Sequence, residues 1–362
     1  MISFRHILVA ALALALLVPA SAGAVPREFF GISPQTTLRP ADTVRMRQAR
    51  IGSVRIPILW GDVQPNPEDS YNWSGLDEVI AVTARDGLRV LPFVYGTPSW
   101  LSGRGTVLPV DNARQRRAWV AFLQEAVERY GPGGEFWQEH GRSSKDFVPP
   151  LPVTAWQIWN EENFFYFATP ASPGRYARLL KLSHRAIASR DRRAKVIVGG
   201  LFGDPGQGYP LGMDASIFLD RLYRVRGIKA SFDGVALHPY ARDVAVLRQL
   251  TEGVRRILVR NRDRRTGLYV TELGWGSKRN PRLVAFEVGL HEQARRLRGA
   301  YRYLIGNRHR LNLEQVYWYS WKDASGDLCA FCDSVGLFRR GQAFRPKPAW
   351  HAFRAVTHGR LR

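Results

Sequence analysis

The chain of 362 residues is poor in cysteine, in lysine and in acid. Its two cysteines exclude a disulfide-dense scaffold and a cysteine-rich zinc domain. Lysine occurs seven times, so the formal net charge of +22, from 53 Lys+Arg against 31 Asp+Glu, is almost all arginine. There is no repeat of fixed period and no low-complexity segment, and a composition of 45% hydrophobic and 23% charged residues argues against disorder. No G-x-G-x-x-G turn follows an early strand, which argues against a dinucleotide-binding sheet. Past residue 24 no stretch approaches 18 consecutive apolar residues, so no stable membrane span is expected. No constellation with metal-ligand spacing stands out, and neither a metal nor a cofactor is expected.

Residues 1–24, MISFRHILVAALALALLVPASAGA, carry Arg5 and His6, then an apolar run, then Pro19 and small residues ending at Ala24. That is the pattern of a secretory signal peptide cleaved after Ala24, and it predicts export to the extracellular space or the envelope. Loss of Arg5 with this segment leaves a charge one unit lower.

From residue 29 on, short β-rich runs alternate with amphipathic stretches of helical length. Strands are expected at 29–33, 54–60, 90–95, 155–160, 196–200, 234–238, 269–272 and 316–321, each rich in Val, Ile, Tyr, Phe or Trp. Helices are expected at 43–49, 75–85, 113–130, 174–189, 215–225, 244–260, 282–305 and 347–356. In the third, Trp119, Phe122, Leu123, Ala126, Val127 and Tyr130 share one face at 3.6 spacing. Eight strands, each followed by a helix, predict an α/β protein, a (β/α)8 TIM barrel, forming one catalytic domain over residues 25–362. Residues 131–152 read as an irregular insertion on the far side from any catalytic mouth.

Catalytic groups of such barrels come from the C-terminal ends of the strands. Here the second strand carries Arg55, the fourth ends in Trp159-Asn160-Glu161-Glu162-Asn163, the sixth in His238-Pro239-Tyr240, and the seventh in Thr271-Glu272-Leu273-Gly274. Charged groups at the ends of apolar strands are costly unless paired or solvated, so their gathering at one end points to chemistry. Two carboxyl groups facing each other across a barrel mouth suit cleavage of a glycosidic bond, one as general acid and one as nucleophile.

On these residues the chain resembles the retaining (β/α)8 glycoside hydrolases of clan A, and looks most like families 39 and 5, over about residues 29–355. The resemblance implies Glu161 as acid/base, with Asn160 binding the sugar 2-hydroxyl. It implies Glu272 as nucleophile, with His238 and Tyr240 as hydrogen-bonding support, Arg55 holding the nucleophile ionised, and Trp321 as the aromatic platform under the sugar at the cleavage point. Relatives often have proline where this chain has Glu162; Glu161 is read as the acid because it directly follows Asn160. The expected reaction is hydrolysis of an O-glycosidic bond in a β-linked poly- or oligosaccharide by double displacement. The alternatives are a catalytically inactive carbohydrate-binding barrel and a transglycosidase using the same residues.

Physical expectations accompany these roles. Arg55 should depress the Glu272 carboxyl, and the aromatic residues around Glu161 should raise its own by desolvation. The carboxyl separation should be about 5–5.5 Å. Trp60, Trp100, Trp275 and Trp318 sit at or just beyond strand ends, as Trp321 does, and are further candidates for contact with sugar. Cys329 and Cys332 read as a local disulfide in the loop after the eighth strand. The arginines are spread over helices without a nucleic-acid-binding module, so no nucleic acid is expected. A carbohydrate substrate is expected, and an anionic polysaccharide or the cell envelope is the partner class the charge would fit.

Overall fold

The computed structural model describes residues 25–67, 70–205, 211–279, 286–326 and 329–360. The expected signal peptide lies outside the described residues, as do residues 282–285, where the seventh helix was expected to begin.

Eight strands form: β1 Phe30–Ser33, β2 Ser53–Leu59, β3 Arg89–Tyr95, β4 Ala155–Ile158, β5 Lys195–Phe202, β6 Gly234–His238, β7 Gly267–Leu273 and β8 Leu313–Tyr319. They pair in sequence order, and β8 returns to β1 in parallel register, Phe30 opposite Val316, closing the barrel. The main helices are α1 Pro40–Gln48, α2 Ser74–Arg85, α3 Ala113–Tyr130, α4 Pro173–Ala188, α5 Ala215–Tyr223, α6 Val244–Arg260, α7 Leu290–Gly306 and α8 Pro348–Thr357. This is the expected (β/α)8 TIM barrel. Among the described residues, no helix is long and apolar enough to cross a membrane.

The strand period of two sorts the side chains. In β8, Val316 and Trp318 pack outward against the helical shell, while Tyr317 joins Leu91, Ile197, Ala236 and Tyr269 inside the barrel. The two large rings fit because small residues face them. A Cβ on Gly31 would lie 2.3 Å from the Tyr317 ring, and one on Gly234 would lie 2.5 Å from that of Tyr269. This plug leaves the opposite, C-terminal end as the place where the barrel axis can carry polar groups.

The shell follows from helix amphipathicity and caps. Asn112 accepts a hydrogen bond from the Gln115 amide at 2.9 Å and starts α3, whose expected apolar face is buried. The insertion at 131–152 is more ordered than its sequence suggested. A short helix, Glu135–Glu139, buries Phe136 and Trp137, and the Trp137 indole donates to the Tyr130 carbonyl at 3.0 Å. Local helix signals are weak in so short a segment, and packing under Tyr130 decides it.

The chain after β8 is tied down twice. Cys329 and Cys332 form a disulfide. Lys347, just before α8, is buried and donates to Asp323 at 2.6 Å, the Ser334 carbonyl at 2.7 Å and the Ser277 hydroxyl at 2.9 Å. Removing one partner of a buried pair leaves the other charge uncompensated. Lys347→Ala should therefore cost about 3–5 kcal/mol in denaturant unfolding, and a loss under about 1 kcal/mol would show that the pair is not holding this segment.

Candidate active site

Arg55 is the centre from which the site is built. It lies halfway along β2, points into the barrel and has no solvent exposure. Its Nε donates to Gln157 on β4 at 2.9 Å. One terminal nitrogen donates to Glu272 Oε1 at 2.6 Å and to Ser33 at 3.4 Å, and the other to Asn160 Oδ1 at 2.6 Å. The guanidinium also lies 3.7 Å over the Phe93 ring of β3. One cation thus connects residues of β1, β2, β3, β4 and β7.

The turn after β4 is shorter and more strained than a strand running on to Asn160 would be. β4 stops at Ile158 because Trp159 is left-handed, at φ 73°, and Glu161 is too, at φ 43°. Such angles cost of order 1–3 kcal/mol each in residues with a side chain, and they persist only where the surroundings over-determine them. Here they do. The Trp159 indole donates to the Phe167 carbonyl at 2.7 Å, Asn160 is held by Arg55, and the Asn163 amide donates to the carbonyls of Phe202 and Met213, both at 2.7 Å. The result aims Glu161 into the mouth and turns Glu162 away from it.

Glu161 and Glu272 are both nearly buried, at 6% and 9% exposure. An oxygen of each and a ring nitrogen of His238 lie within 4.8 Å of one another. His238 Nδ1 shares a hydrogen bond with Glu161 Oε1 at 2.8 Å, and Nε2 shares one with the Thr271 hydroxyl at 3.0 Å. The Tyr240 hydroxyl donates to Glu272 Oε2 at 2.8 Å. The His238 ring needs the glycine beside it, since a Cβ on Gly200 would sit 1.9 Å from Nε2. The structure thus gathers Arg55, Asn160, Glu161, His238, Tyr240 and Glu272 at one end of the barrel.

The two carboxyls differ in their electrostatics. Burial raises Glu161 well above the ordinary range, and the neighbouring negative charge of Glu272 raises it further. Burial also raises Glu272, against the pull of Arg55 and the Tyr240 hydrogen bond. Arg55 lowers Glu272 as expected, but desolvation is the larger effect and the net shift is upward. Arg55 and Tyr240 set the order within the pair, so Glu272 ionises first and Glu161 keeps its proton. His238 is held neutral by burial and by Arg55.

Glu161, His238 and Glu272 are also the residues among those described that have the reach to hold a metal ion. Their surroundings suit one poorly. Both ring nitrogens of His238 are engaged, and the guanidinium against Glu272 already supplies the compensating charge.

Trp321 requires a correction. It is fully buried, its indole donates to Asp42 at 2.8 Å, and Phe338, Phe344 and Trp350 pack around it. It offers no face to a ligand. The chain leaves β8 at Tyr319, and Trp321 is taken into the outer shell near α1 and α8. The β8 aromatic near the carboxyls is Tyr319, whose ring lies 6.1 Å from that of Tyr240 and whose hydroxyl is raised by burial and by Glu272 and Glu161. Trp60, Trp275 and Trp318 are fully buried too, and Trp100 is half-buried against Trp60.

Sequence reasoning gave no role to Gln157, Thr271, Tyr319, Gly199 and Gly200. The two glycines had a readable signal: paired glycines ending a Val/Ile strand mark a close approach. Gly199 makes room for Glu162, whose Oε2 would lie 2.0 Å from a Cβ there. Glu162 is fully buried, and among the described residues its oxygens find no well-formed hydrogen bond; the neighbouring Tyr176 hydroxyl, which donates to Ile158 and accepts from Gly199, offsets the burial only in part. Burial pushes this carboxyl up to about 8.

In the unfolded chain Glu162 loses its proton near 4.5, so between there and about 8 the folded state binds the extra proton. Its contribution to stability therefore falls as pH rises through that window. Glu162→Gln, neutral at every pH, should gain melting temperature relative to wild type between about pH 5 and pH 8. Parallel curves would mean that Glu162 is ionised or solvated in the fold.

No protein-family model matches the chain. Over 83 residues it is 41% identical to a beta-galactosidase of Thermus thermophilus, a match covering 21% of this chain and 12% of that protein. A family 39 glycoside hydrolase from the gut symbiont Bacteroides cellulosilyticus superposes with a TM-score of 0.66 at 20% identity, over 92% of this chain and 64% of that one. A monomeric beta-xylosidase from Caulobacter crescentus gives a TM-score of 0.65 at 17% identity, over 92% and 69%. The chain thus spans a small part of the curated relative and about two thirds of these solved structures. These likenesses show that the chain has the barrel fold found among the family 39 glycoside hydrolases.

Proposed function

We propose that the protein is a retaining glycoside hydrolase that cleaves β-linked poly- or oligosaccharides by double displacement. The observation that carries this is the close approach of Glu161 and Glu272, one oxygen of each lying within 4.8 Å of the other, which leaves little room for a water between them. Retaining enzymes hold their carboxyls about 5–5.5 Å apart, and inverting ones about 6.5–9.5 Å, to admit a water. The solved barrels it resembles, glycoside hydrolases of families 39 and 5, support the substrate class.

In this reading Glu272, the first of the pair to ionise, attacks the anomeric carbon. Glu161, kept protonated, gives its proton to the leaving oxygen. Arg55 accounts for the Asn160 carbonyl oxygen, which leaves the amide NH2 to donate to the sugar 2-hydroxyl. Formation of the glycosyl ester removes the Glu272 charge, which is one of the causes raising Glu161. The Glu161 carboxyl then falls towards its ordinary range, and it can serve as the base that activates water. The same pair supplies acid and base in turn because each group's charge sets the other's. No observation favours a barrel that binds sugar without cleaving it.

Export directed by residues 1–24 belongs to the same proposal, since a polymeric glycan is met outside the cell.

Glu161→Gln should lower kcat by about 10²–10⁴-fold on a substrate with a poor leaving group. Glu272→Ala should remove turnover, and added azide should restore it with a product of inverted configuration. Proton NMR of the wild-type product should show the anomer of the substrate first. Inversion by the wild type, or wild-type rates in both variants, would overturn the assignment.

A further inference from the structure

A cleft of about 770 Å³ opens from Glu272 along the loops after β1 and β2 to the start of α2. That is in the upper part of the range of about 300–1,000 Å³ that takes a whole drug-sized ligand, more than one sugar ring requires. Glu272 lies at its inner end, and Glu161 does not line it. The direction matters. The leaving oxygen must reach Glu161, so the leaving part of the substrate departs on the β4 side. A cleft on the far side of the nucleophile, bounded by Gln35, Asn72 and Tyr95, therefore faces the part of the chain that stays on the enzyme.

Its charge runs against that of the protein. About one residue in seven of the chain is Lys or Arg, yet among the described residues none lines this cleft. The charged side chains there are Asp62 and Glu78, both exposed, and Glu272. Arg55 does not line the cleft; it is fully buried and paired with Glu272. A carboxylate or sulfate on the substrate would meet carboxylates and no cation; a hydroxyl or an amine would meet hydrogen-bonding partners.

We propose that this cleft holds two or more sugar units on the glycone side, that it accepts chains without carboxylate or sulfate groups, and that cleavage falls inside the chain. The arginine-rich exterior is therefore no guide to the substrate. This rests on the hydrolase reading above.

The test uses the whole protein on soluble β-linked polysaccharides that are uncharged, amine-bearing or uronate-bearing, with mass spectrometry of the earliest products. Expected are fragments of two or more sugars, from an uncharged or amine-bearing polymer, at least tenfold faster than from the uronate polymer. Monosaccharide as the first product, or a uronate polymer cut as fast, overturns the inference while leaving the hydrolase reading intact. Cleavage of none of them, or of any simple aryl glycoside, overturns the hydrolase reading itself, and the inference with it. A second variant tests the location. A Cβ on Gly75, at the cleft edge, meets nothing within 4 Å, so Gly75→Trp can fill the cleft without disturbing the helix. The ratio of kcat/KM on a hexasaccharide to that on an aryl monoglycoside should drop at least tenfold, and an unchanged ratio places the glycone elsewhere.

Discussion

A guanidinium is buried on the axis of this barrel, and the positions of both carboxyl groups follow from where its N–H groups point. Arg55 bonds Glu272 directly. It reaches Glu161 through Asn160, the residue between two left-handed positions of the β4 turn. A buried cation is costly unless its hydrogen bonds are made, and Arg55 has partners on β1, β4 and β7 and an aromatic face from β3. The closed barrel makes this possible, because only closure brings β2 within reach of β7.

The rest of the mouth is arranged around the need to keep one carboxyl protonated beside one that ionises. Burial raises both, and Arg55 with Tyr240 breaks the tie. His238, held neutral, can hydrogen-bond Glu161 without contributing a charge that would ionise it. The glycines at 199 and 200 let β5 pass close to Glu162 and His238, so the end of one strand makes room for two polar side chains. Strain at Trp159 and Glu161 is held by the Asn163 and Trp159 hydrogen bonds to neighbouring loops.

Much of this was legible in the sequence, for a physical reason. Strands buried on both faces are apolar runs, so Glu161, His238 and Glu272 stood out as polar residues at the ends of such runs and Arg55 as a charge within one. All eight strands and the gathering of those four residues could be read that way. Trp321 could not. Its place depends on where the chain leaves β8, and it leaves at Tyr319, carrying the indole to Asp42 and the outer shell. The sequence shows the arginine, which does lower Glu272, but not the depth of burial that outweighs it. The net charge is no guide for another reason: it is a sum over the whole chain, while among the described residues the charged side chains lining the cleft beside Glu272 are acids.

The central claim is that Glu272 forms a covalent bond with the sugar while Glu161 handles the proton. Incubation with a 2-deoxy-2-fluoro glycosyl fluoride of the sugar the enzyme accepts, followed by proteolysis and peptide mass spectrometry, tests it most directly. The account predicts one added glycosyl group, on Glu272. A label on Glu161 or Glu162, or an enzyme that turns over its substrate yet never takes up the label, would contradict it.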